Sequence, residues 1–88
     1  MAWTEVMTDG GGILSFDGRV IEYFDERNRT SQWRVHVAHV EGWEVEQRQG
    51  VSRVKLLLAK RRFQNVLVAD DQLPALGRLQ AAVEAART

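Results

Sequence analysis

The chain is 88 residues long, enough for one domain with one modest core and too short for two independently stable ones. Hydrophobic residues make up 44% and charged residues 27%, the balance of a globular domain, and twelve basic side chains offset twelve acidic ones, so no overall field draws the molecule onto nucleic acid or an anionic bilayer. The absence of cysteine excludes disulfide frameworks, thiol catalysis and cysteine-ligated metal, and no apolar run approaches the roughly 20 residues that cross a bilayer. A cytoplasmic protein without a transmembrane segment is expected.

Residues 1–12 close on Gly10, Gly11 and Gly12, which are entropically costly to order, and the expectation is a flexible lead-in with Trp3 outside the strong patterns that follow. Phosphate-cradling glycine loops open a helix, whereas "ILSF" here begins a strand, so the glycines do not suggest a nucleotide site. The body of the domain is expected over residues 13–88. In "ILSFDGRVIEYF", Leu14 and Phe16 alternate with Ser15, and Asp17-Gly18 predicts a type I′ turn and a tight hairpin. The second arm is apolar in both phases. Ile21 and Tyr23 are taken as inward, because Glu22 shares its face with Val20 and Phe24 and is costly to bury unpaired. The polar run "DERNRTS" is a loop.

Strict alternation places Trp33, Val35 and Val37 inward, then loses step at Val40 and resumes at Trp43 and Val45. Two strands separated by a corner or bulge around Ala38 to Val40, with Gly42 as a flexible point, account for the break. His36 and His39, three apart along an extended strand, are expected on opposite faces and therefore not to share a metal. After the "QRQG" turn, Val54, Leu56 and Leu58 alternate inward. Lys60-Arg61-Arg62 marks the next bend, and "FQNVLVA" forms the last strand. From Asp70 the period becomes helical, with Leu73, Leu76, Leu79, Val83 and Ala86 on one stripe, Asp70 or Asp71 as the cap and Pro74 in the first turn. Gly77 is expected to permit close approach to the sheet.

Six strands, or seven if the N-terminal segment pairs, followed by one amphipathic helix, resemble the bacterial pleckstrin-homology-like (PH-like) domains. The similarity rests on "GGILSFDGRVIEYF", "SQWRVHVAHVEGWEVE" and "RFQNVLVADDQLPALGRLQAAVEAA", which together cover most of the chain. The resemblance implies a mainly β fold in which a strongly bent antiparallel sheet forms an open barrel or sandwich capped by the C-terminal helix, with Leu76, Leu79 and Val83 as the stopper. It also implies a non-catalytic interaction or scaffold module that self-associates or binds a protein partner. Phosphoinositide-binding members carry basic residues around the first hairpin loop; here that loop is Asp17-Gly18, short and acidic, so phosphoinositide is not the expected ligand.

Trp3 is the candidate partner contact. The alternative function is anionic-ligand binding, nucleic acid or an acidic lipid head group, on a basic face within residues 53–62. Strand parity there groups Arg53, Lys55 and Arg61 around Leu57. No catalytic set is expected: Ser15, Ser31 and Ser52 lack a nucleophile-elbow context, and the carboxylate pairs Asp25-Glu26 and Asp70-Asp71 fit a loop and a helix cap. No cofactor or metal motif is present.

Overall fold

The computed structural model describes residues 3–27 and 29–87. The chain forms two antiparallel meanders. The first sheet contains β1 (Thr4–Thr8), β2 (Gly12–Phe16), β3 (Val20–Asp25) and β4 (Thr30–His36); the second contains β5 (Val40–Gln47), β6 (Val51–Leu58) and β7 (Arg62–Ala69). A C-terminal helix, α1 (Leu73–Arg87), follows a 3-10 turn at Asp70–Gln72. The expected mainly β fold with a terminal helix is present. The sheets do not join into a closed barrel; just past the end of β1, the Asp9 N–H donates to the Leu67 C=O of β7 at 2.8 Å.

Where a loose lead-in over residues 1–12 is expected, Thr4–Thr8 is instead a paired strand. Val6 faces Leu14 and is fully buried, and Thr8 faces Gly12. The burial of Val6 and the five-residue ladder offset the entropy that the glycines cost. Gly12 has a separate steric role: a Cβ there would lie 2.5 Å from the Tyr23 ring and 2.6 Å from Thr8 Oγ1. Only a residue without a side chain lets Tyr23 lie across this strand.

The β2–β3 hairpin forms as expected, but its turn is shifted by one residue. Asp17 N–H donates to Val20 C=O, so Gly18 and Arg19 are the central pair, and only Gly18 has a positive φ, of 103°. That is the backbone pattern of a type II′ turn and not of type I′. Asp17 Oδ1 accepts the N–H groups of Arg19 and Val20, each at 2.8 Å, and these bonds hold its carboxyl below the ordinary value of 3.8. Ile21 is fully buried and Tyr23 packs against the core, which is the inward phase chosen from the sequence.

The broken alternation at the centre of the chain has two causes. A 3-10 turn at Val37–His39 carries the chain from the first sheet to the second and lets both Val37 and Val40 be buried. A bulge at Glu41 then adds a residue between the Val40↔Leu58 and Gly42↔Leu57 pairs, so Trp43 recovers the inward phase opposite Leu56. Val45, opposite Val54, has the same phase yet remains 42% exposed, because β5 is an edge strand whose inner surface is incompletely covered. Trp33 and Trp43 are partly buried against the core, with Trp33 tilted on Tyr23 at 5.9 Å between ring centroids.

Helix α1 buries Leu76, Leu79 and Val83 in the same core as Val6, Leu14 and Phe16 from β1 and β2. Both of its ends are tied to the sheets. Asp70 N–H donates to Gly50 C=O, and the Arg87 guanidinium donates to the carbonyl of the bulged Glu41. Neither expected aspartate cap forms by its side chain: the 3-10 turn begins without one, and Leu73 N–H donates to the Asp70 main-chain carbonyl. Ala86 falls outside the buried stripe. Gly77 is exposed, and nothing lies within 4 Å of a Cβ placed on it, so it permits no close approach.

Candidate functional site

Pairing in the second sheet decides what its solvent face offers. Ser52, Val54, Leu56 and Leu58 point inward along β6, leaving Arg53, Lys55 and Leu57 outward. Across the ladders, Arg53 lies between Glu46 and Leu67, Lys55 between Glu44 and Asn65, and Leu57 between Gly42 and Phe63. Each cation of β6 therefore faces a carboxylate of β5. Lys55 Nζ is 3.9 Å from Glu44, and it also stands 4.6 Å above the Phe63 ring centroid. Glu46 bonds Arg48 at 2.6 Å, which, with the positive charges of Arg53 and Lys55 nearby, holds its carboxyl below the ordinary value of 4.5.

Of the three residues expected to form a basic face, Arg53 and Lys55 share a surface and Arg61 does not join it. Arg61 lies in the turn at Ala59–Arg61, where it and Lys60 hold left-handed backbone at φ of 62° and 63°. The surface around Arg53 and Lys55 is charge-compensated and not uniformly positive. Its signal was present in the sequence as Glu44 and Glu46, one hairpin away; it becomes visible only when the turn register is known.

The apolar part of the same face was not singled out from the sequence. Phe63 is 49% and Leu67 43% exposed, and Leu57 is partly exposed because Gly42 places no side chain beside it. Leu57 and Phe63 stand opposite each other as one apolar pair, and Leu67 lies further along β7 on the same face, beyond the Lys55–Asn65 pair. Trp3, just before β1, and Glu5 and Met7 on it share the outward phase. Trp3 is 58% exposed with its indole N–H donating to Glu5, and Met7 is 45% exposed.

His36 and His39 do not point apart as expected. The 3-10 turn breaks strand parity between them and brings their rings edge to face, 6.5 Å between centroids. His36 Nδ1 accepts the Ala38 N–H at 3.0 Å. Among the described residues, no three His, Asp or Glu side chains are placed to hold a metal ion together, and no helix is long and apolar enough to cross a membrane. The three serines occupy separate places: Ser15 and Ser52 are buried on different sheets, and Ser31 is exposed on β4.

Comparison with known proteins finds no family model that matches the chain, no similar curated protein and no similar solved structure.

Proposed function

We propose that the protein is a non-catalytic, self-associating interaction module of PH-like type, acting through the outer face of β6 and β7. The order of four strands, three strands and a terminal helix supports the PH-like assignment. The observation that carries the self-association is the exposure of Leu57, Phe63 and Leu67, large apolar side chains on one regular sheet face over which no element of the described residues is laid. Burial of such side chains contributes about 1.5–3 kcal/mol each relative to exposure, and the paired Lys55 and Glu44 lie among them on the same face.

Anionic-ligand binding through Arg53, Lys55 and Arg61 is the weaker alternative. Glu44 and Glu46 already face the two cations on β6, so counterion release on binding an anionic polymer would be small.

Size-exclusion chromatography with light scattering tests the proposal. The wild-type chain is expected to gain mass with concentration, and the doubly substituted Phe63→Ser, Leu67→Ser chain to remain a monomer with an unchanged circular dichroism spectrum. A wild-type monomer at every concentration, or association unaffected by the two substitutions, overturns it.

A further inference from the structure

A second feature lies away from Leu57, Phe63 and Leu67, at the mouth between the two sheets. Strand β7 presents Arg62, Gln64, Val66 and Val68 on one phase, opposite the buried Leu58, Leu56, Val54 and Ser52. Val66 and Val68 are core residues, so the next two positions of that phase place a guanidinium and a carboxamide on the core-facing side of the strand, at its open end. Across the gap, β4 and the 3-10 turn contribute Arg34, His36 and His39. These side chains, with Val35 and Leu58 as an apolar floor, line a cavity of about 190 Å³. This is smaller than the roughly 300–1,000 Å³ typical of sites for drug-sized ligands, and suits a single small polar group.

The polar atoms facing this cavity are mostly donors. Arg34 and Arg62 have no acceptor atom in their side chains, and Gln64 brings an amide NH₂. His36 Nδ1 is engaged as acceptor for the Ala38 N–H, so a neutral ring carries its proton on Nε2, and Nε2 is a donor in either protonation state. Charge sets the valence of the occupant. Glu22 of β3 takes up part of Arg34, at 3.4 Å, while Arg62 has no ion pair among the described residues, and no carboxylate among them lines the cavity. Two guanidiniums against one carboxylate leave a single positive charge before any contribution from the imidazoles. A monoanion balances that charge; a dianion exceeds it. The apolar floor reduces local screening and strengthens a charge-assisted bond made above it.

We propose that this cleft is a receptor for one carboxylate, held by the Arg62 guanidinium with His36 and Gln64 donating beside it. The carboxylate belongs either to a small free acid or to the acidic side chain of an extended protein segment. The second source has a natural track, because β4 is the outer strand of its sheet and its backbone edge, unpaired by any strand among the described residues, runs past the cleft.

The test is an amide-resolved NMR titration of the full chain at constant ionic strength, with sodium acetate and with the peptide acetyl-Thr-Val-Glu-Val-Thr-amide as probes and sodium chloride as reference. Saturable shifts confined to residues 34–39 and 62–64 are expected for at least one probe. Affinity should fall about tenfold or more in Arg62→Ala, the loss of one charge-assisted contact, and fall also in Arg62→Lys, which keeps the charge and loses the planar fork. Arg78→Ala, on the exposed side of α1, should bind as the wild type does. Tighter binding of the peptide assigns the site to a protein segment, and equal binding assigns it to a free carboxylate; both support the proposal. Shifts no different from those of chloride, or binding that survives Arg62→Ala, overturn it and leave Arg62 as a charge that protects an open strand end. The wild-type titration decides the matter even if a variant folds poorly.

Discussion

Gly12 is the residue whose replacement has the most direct steric consequence. With the Tyr23 ring and Thr8 Oγ1 both inside ordinary contact distance of a new methyl group, Gly12→Ala must displace either the ring from the core or β1 from β2. A loss of about 1–3 kcal/mol in unfolding free energy is expected, measured by denaturant titration. Ser52 has the opposite sign. Its hydroxyl is fully buried and has no hydrogen-bond partner among the described residues, so Ser52→Ala removes a desolvated polar group and should raise stability by roughly 1 kcal/mol in the same measurement. Asp17 supplies the pH dependence. Its folded pKa is depressed by the bonds from Val20 and Arg19, so the stabilisation is present above the ordinary value of 3.8 and is lost as pH falls through the lower folded value. Asp17→Asn should therefore flatten the acid limb of a stability-versus-pH curve below about pH 4 and leave its neutral region parallel to the wild type.

The terminal helix shows where periodicity is a sufficient guide and where it is not. Leu76, Leu79 and Val83 were legible as a stripe because a 3.6-residue period needs no knowledge of partners, and all three are buried. The cap and the role of Gly77 were not legible, because both depend on what lies beside the helix. Since Gly77 has open space around its Cα, Gly77→Ala should stabilise the fold by about 1 kcal/mol, read as a higher midpoint in thermal or urea unfolding. The strands follow the same division. Alternation identified the inward residues of β2 and β6, and the cost of burying Glu22 chose the inward phase of β3. Alternation could not place the Glu41 bulge or the shifted turn at Gly18-Arg19, which are settled by register with a neighbouring strand. The segment Thr4–Thr8 reads from the sequence only as an optional seventh strand because its apolar content is slight, and its strand state comes from pairing with β2.

At the level of the whole molecule, one contiguous core runs from Val6 on β1 through Val54 and Val68 on the second sheet to Val83 near the end of α1. Because helix and both sheets share it, tryptophan fluorescence, which reports Trp33 and Trp43, and far-ultraviolet circular dichroism should show coincident unfolding transitions. Separate transitions would mean that the two meanders are independent units. The candidate surfaces were only partly legible at this scale. Lysine and arginine could be counted along β6, but the carboxylates that face them come from β5, and the grouping of Arg62 with His36 and His39 joins residues that the linear pattern assigned to a bend and to opposite faces.

The 3-10 turn at Val37–His39 has a consequence in time as well as in space. It divides the chain so that every ladder joins strands adjacent in sequence, β1 to β4 in order before it and β5 to β7 in order after it. Each half can zip from its own hairpins without waiting for a distant segment, and short loops close quickly. The slow event is then expected to be the docking of α1 on β1, two elements far apart in sequence, which completes the burial of Val6.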